Sequence, residues 1–215
     1  MSTARAPSLP LRDDGRTRRG RATRERLLEA AAGLIRAHGF NATSVGDILS
    51  ATALPKGCFS HHFEGKEALG LAILGRWIDE LSARLLGFLT APEGPPPLER
   101  IAAALDGFLT QQEQSGGRGG SAFGSLAMEL SDSKEAFRVP LAAAYRRLSE
   151  AFASLIGAAQ ARGEIRADAD ARALGDFLVA SIEGGILLGR VHQDPAVLGG
   201  VLRQAEAHLW NHRPA

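Results

Sequence analysis

Leu69, Ile73, Trp77, Leu81, Leu85 and Leu89 recur every four residues along a stretch without proline. No other feature of the chain limits its fold so strongly. A row at that spacing lies along one side of an α-helix, whereas a strand alternates its side chains between two faces. The spacing predicts one rod from Lys66 to about Leu89, closed by Ala91-Pro92-Glu93-Gly94-Pro95-Pro96-Pro97. The same period places a helix over Thr23–His38, with Leu27, Ala31, Leu34 and Ile35 inward and Gly39 as its stop. It places another over Leu98–Gln112, with Ile101, Leu105 and Phe108 inward. Further helices fit Phe123–Leu130, Lys134–Gly163, Ala169–Arg190 and Pro195–Trp210, and the Gly-rich run 115–121 reads as a loop. No segment alternates like a strand, and no internal repeat is visible. The fold class is all-α.

Two shorter helices lie between the first helix and the rod. Ser44 fits an N-cap with Asp47 as its capping-box partner, and Val45, Ile48 and Leu49 point inward until about Ala51. Thr52-Ala53-Leu54 is a tight connection. Pro55 suits the first turn of a second short helix, which carries Lys56, Gly57, Cys58, Phe59, Ser60, His61 and His62 and closes at Phe63. Two helices of about two turns joined by about four residues have helix-turn-helix proportions, and the second is small enough for a major groove.

Charge agrees with that reading. The net charge is +1, but residues 1–66 hold 11 Lys/Arg against 6 Asp/Glu, and the remainder 14 against 18. A basic head on an acidic body suits a head that meets phosphate. The single cysteine excludes an intrachain disulfide framework and a multi-Cys zinc site, and fits a reducing cytoplasm. No apolar core of a signal peptide is seen at the start, and no apolar run is long enough to span a bilayer.

Residues 23–69 resemble the DNA-binding head of TetR-family regulators. The matching features are Gly39-Phe40, Thr43-Ser44, Ile48, Lys56-Gly57, Phe59, His61-His62-Phe63 and Lys66-Glu67-Ala68-Leu69, in order and spacing. Two positions depart from the family: Ser60 stands where Tyr is usual, and Ala53 where Gly is usual. Residues 123–191 resemble the ligand-binding half of a subgroup, through Phe123–Leu130 and Ile182–Leu188. Relatives often carry Cys just before Phe123, where this chain reads Gly120-Ser121-Ala122, so thiol sensing is not carried over.

The resemblance implies an N-terminal three-helix helix-turn-helix domain (21–66), joined by a long helix to a helical ligand-binding and dimerisation domain (67–215); before it, residues 1–20, with Pro7, Pro10 and Gly15 and an arginine-crowded end, read as a disordered basic arm. It implies a ligand-responsive repressor that binds palindromic double-stranded operator DNA as a homodimer. A small, largely apolar effector releases it, with no cofactor, no metal and no membrane.

Lys56, Gly57, Cys58, Ser60, His61 and His62 are the expected groove-facing residues. Arg21, Arg24, Thr43, Ser44 and Lys66 are expected at phosphates, since helix N-termini and cations favour anions. Neighbouring histidines diverge by about 100° on a helix, which disfavours a shared metal at His61 and His62. Trp77, Leu81, Phe108, Phe123, Met128, Phe137, Tyr145, Phe177 and Glu183 are candidate effector contacts, although core packing explains most such residues. Glu183, among apolar residues, needs a partner: a ligand, Arg190 or another chain. Gly184, Gly185 and Gly189, with Val197, Val201, Ala205 and Leu209, suggest a dimer face. Two other readings stay open: a helical enzyme using His61, His62, Glu64 or Cys58, and a small-molecule carrier with a non-functional head.

Overall fold

The structure, a computed structural model, describes residues 15–117 and 119–214, with only the backbone of 15–17. Its described residues form helices and connecting turns, without strands. The head contains α1 (Gly15–His38), α2 (Val45–Thr52) and α3 (Lys56–His62). A continuous rod follows, α4, made of Lys66–Leu81, a π-helical turn Ser82–Leu86 and a last turn Gly87–Leu89. The body adds α5 (Pro97–Gln114), α6 (Ala122–Leu130), α7 (Glu135–Ala161), α8 (Ala171–His192) and α9 (Ala196–Trp210). Among the described residues no helix is long and apolar enough to cross a membrane.

The first helix starts eight residues before the expected Thr23. Arg16, Arg18 and Arg19 are good helix formers, and no proline lies between Gly15 and His38 to stop them. Of the basic arm expected over 1–20, residues 15–20 are therefore helical, and residues 1–14 lie outside the described residues.

The rod explains its own π turn. A row repeating every four residues drifts about 40° per step around a helix of 3.6 residues per turn. Leu69, Ile73 and Trp77 are buried, Leu81 and Leu85 only half so, and burial returns at Leu86 and Leu89. The wider π turn absorbs one extra residue and brings the apolar side back to the body.

Two cores result. One holds α1–α3 and the lower rod together with Leu126, Leu130, Phe137 and Leu141 from the body. The other lies among α5, α7, α8 and α9 and includes Phe152, Leu178 and Leu198. The head therefore shares its core with α6 and α7. Arg100 is buried at the far end of the rod, where its guanidinium donates to the carbonyls of Leu89 (3.4 Å), Ala91 (2.7 Å) and Pro95 (3.3 Å). It ties the proline-rich loop to the end of α4.

Candidate nucleic-acid interface and effector core

The two short helices are built by local chemistry. Ser44 Oγ accepts the Asp47 N–H at 3.1 Å, and the Asp47 carboxylate accepts the Ser44 N–H at 2.8 Å and its hydroxyl at 2.7 Å. The hydroxyl bond, then the backbone bond, holds the Asp47 carboxyl below the usual range. Ala53 ends α2 at a φ of 51°, the left-handed conformation that its usual glycine takes freely. Arg26 of α1 donates to the carbonyl of Thr52 at 2.7 Å and fixes that end.

α3 turns Phe59 and Phe63 inward, their rings 5.8 Å apart, and leaves Lys56, Gly57, Ser60 and His61 exposed. Cys58 and His62 are half-buried at its flanks. A Cβ at Gly57 would meet nothing among the described residues, so the space beside it is open to a partner. Burial, then the neighbouring His61 and Arg24, pushes the His62 imidazole down. The Ser60 hydroxyl bonds the Gly57 carbonyl at 3.3 Å, within its own helix. Arg24 lies 5.2 Å from the Phe63 ring centre, and Arg21 is exposed one turn earlier in α1. Among the described residues no group of three His, Cys, Asp or Glu side chains converges as metal ligands.

Two of the expected phosphate contacts are placed differently. Thr43 is 2% exposed and donates its hydroxyl to the Gly39 carbonyl at 2.8 Å. Lys66 Nζ donates to the carbonyls of Phe40 (3.1 Å) and Asn41 (3.3 Å) and sits 4.6 Å from the Phe40 ring centre. The buried Phe40 draws the turn into the core, and both side chains satisfy its backbone. Ser44 remains exposed at the start of α2.

The nine expected effector contacts do not converge. Phe123, Tyr145 and Glu183 meet. The Phe123 and Tyr145 rings lie 6.4 Å apart, and Glu183 accepts a hydrogen bond from Ser121 at 2.8 Å beside Tyr145. Burial pushes the Glu183 carboxyl up, against the opposing pull of Ser121 and Tyr145, and burial beside Glu183 pushes the Tyr145 hydroxyl far up. A Cβ at Gly124 would lie 2.5 Å from a Glu183 oxygen, so only glycine lets that carboxyl reach the start of α6. Ser121 also caps α6, accepting the Gly124 N–H at 3.0 Å.

The others lie elsewhere. Trp77 and Phe137 are in the core shared with the head, where Phe137 packs edge-on against Phe40 at 5.3 Å. Phe108 packs on the upper core, and Leu81 is half-buried on the rod. Met128 is 87% exposed, because Leu126 and Leu130 on either side take the inward face of α6. Phe177 is exposed and meets the His208 ring at a tilt, 4.8 Å between centres. Part of the expected dimer face is covered within the chain, while Gly184 stays exposed. Ala205 and Leu209 are buried in the chain's own core, and a Cβ at Gly185 would lie 2.6 Å from Leu198, so these residues join α8 to α9 within one chain. The open apolar residues of α8 are instead Phe177, Leu187, Leu188 and Val191.

Sequence reasoning missed Glu129. Its carboxylate accepts the backbone N–H groups of Phe40 (3.1 Å) and Asn41 (2.8 Å), almost 90 residues away in the chain. Its helix was legible, but no local pattern announces a partner that distant.

The family model described as bacterial regulatory proteins, tetR family, matches residues 27–73. The model for the tetracyclin repressor-like C-terminal domain matches residues 97–205. The chain is 30% identical over 173 residues to the HTH-type transcriptional repressor DhaR of Mycobacterium sp. (strain GP1), covering 80% of this chain and 84% of that protein. It is 30% identical over 183 residues to the transcriptional regulator AcuR of Cereibacter sphaeroides, covering 85% and 83%. The crystal structure of a regulatory protein TetR from Rhodobacter sphaeroides superposes with a TM-score of 0.79 at 28% identity, covering 86% of this chain and 98% of that one.

Proposed function

The chain belongs to the TetR family of transcriptional regulators, which are not enzymes, and we propose that it is a repressor that a small molecule releases from a palindromic operator. The observation that carries this reading is the outward side of α3. Lys56, Gly57, Ser60 and His61 are exposed together while Phe59 and Phe63 anchor the helix behind them. Lys56 and the flanking Arg21 and Arg24 supply cations for phosphates, and His61, Ser60 and Cys58 supply groups for base edges. Ser60 reaches less far than the usual tyrosine, so more of the grip falls on Lys56, Ser44 and the arginines.

A second copy of the chain presents a second α3. The exposed apolar residues of α8 support a twofold interface there, which sets two recognition helices on successive turns of one duplex. The cytoplasm is where such a protein meets its operator.

The Ser121–Tyr145–Glu183 cluster is the polar anchor we assign to the effector, with Phe123 beside it. A ligand that binds better when the heads are out of register with the grooves shifts the population away from DNA. The test is selection of bound duplexes from a random pool. We expect an enriched near-palindrome, and Lys56→Ala lowers its affinity about tenfold and reduces the salt slope by about one. An unenriched pool, or a Lys56→Ala protein that binds like wild type, contradicts the reading.

A further inference from the structure

The turn between α1 and α2 is gripped from outside the three head helices. Glu129 of α6 takes the N–H groups of Phe40 and Asn41, and Lys66 of α4 donates to the carbonyls of the same two residues. The Phe40 side chain is fixed as well. It is 2% exposed and stands edge-on to Phe137 of α7, and a Cβ at Gly70 of α4 would lie 2.4 Å from its ring. Gly39 fits this arrangement twice. Its φ is +90°, and a Cβ there would lie 2.5 Å from a Glu129 oxygen. Glu67 and Lys134 add an ion pair between the rod and the start of α7 close by.

We infer that Glu129 is a positioning residue for DNA binding: with Lys66 it clamps the Phe40–Asn41 peptides, so that the body fixes the pitch at which α2 and α3 meet a duplex. This rests on the reading of α3 as the recognition helix. From Asn41 the chain runs three residues to Ser44, the cap of α2, and that leaves little slack between clamp and recognition unit. Carboxylate bonds to backbone N–H groups are charge-assisted and stronger than neutral ones. The clamp also sits on the helix whose other end is capped by Ser121, bonded to Glu183. The eight steps between the nine residues Ala122–Leu130 span about 12 Å of stiff helix. Movement at the effector cluster therefore reaches the head through α6 as well as through the rod.

The test uses the full chain in two arms. Hydrogen exchange of Glu129→Ala should speed the Phe40 and Asn41 amides about tenfold or more, with the buried amides of α1 unchanged. Glu129→Gln keeps one acceptor oxygen and should lie between. The second arm compares affinity for the selected operator with affinity for the same duplex carrying one extra base pair between half-sites. Wild type should discriminate between them, and the ratio should fall at least threefold in Glu129→Ala. A merely destabilised head would weaken both duplexes alike and leave the ratio intact. Unchanged exchange at Phe40 and Asn41, or an unchanged spacing ratio, overturns the proposal. A wild type that selects no duplex overturns the reading of α3 instead, before any variant is made.

Discussion

At the scale of single residues, Ala53 shows how a departure from the family can leave the fold intact. It holds the left-handed φ of 51° that ends α2, a conformation that costs a residue with a Cβ about 1–2 kcal/mol. Ala53→Gly should therefore raise the melting temperature by about 2–4 °C per kcal/mol recovered, as a thermal melt would show. No gain would mean that the turn is not strained. Glu183 gives a prediction with a pH signature. Burial raises its carboxyl above the ordinary 4.5, so the folded chain keeps a proton that the unfolded chain has lost. Stability therefore falls as pH rises from about that ordinary value through the folded one. Glu183→Gln is neutral at every pH and still accepts from Ser121. Its melting temperature should match wild type in acid and exceed it increasingly toward neutral pH. Parallel curves would contradict the assignment.

The residues of α3 were legible in sequence because a short amphipathic helix leaves its polar side by default. Thr43 and Lys66 were less so. Both carry the right chemistry for phosphate, but the backbone of one turn takes their polar groups. Competition between a phosphate and a buried carbonyl depends on where Phe40 lodges, and no spacing in the sequence encodes that.

At the scale of elements, helical periodicity gave existence and type almost throughout. Ser44 and Asp47 marked the start of α2, and the Pro-rich run marked the end of the rod. The π turn at Ser82–Leu86 was hidden in a row of leucines whose four-residue period is itself the sign that a straight helix cannot keep them on one face. Arg100 was equally hidden: an arginine one turn into a helix gives no hint that three carbonyls wait for it. Of the dimer face expected on α8 and the last helix together, Gly185, Ala205 and Leu209 turn into the chain's own core. The periodic row on α9 is real, but its own chain covers it, and only burial can tell an inward stripe from an outward one. Leu188→Asp with Val191→Asp should give a monomer in analytical ultracentrifugation. Operator affinity should drop about a hundredfold or more, because the second head no longer binds intramolecularly. A dimer that persists would move the interface off α8.

At the scale of the whole molecule, the central point is that head and body share one core. Leu126, Leu130, Phe137 and Leu141 lie with the head's apolar residues, and Glu129 holds the head's turn from the body side. The head is thus carried by whatever α4, α6 and α7 do, which is what a regulator needs if an event at Ser121, Tyr145 and Glu183 is to be felt at the DNA. Most directly, the account is tested by methylation interference on the selected duplex, because methyl groups at guanine N7 block the major groove and those at adenine N3 block the minor groove. The account predicts two clusters of guanine N7 interference related by a twofold axis, centred about 10 base pairs apart or a multiple of that spacing. Interference confined to adenine N3, or to a single unpaired cluster, would contradict it.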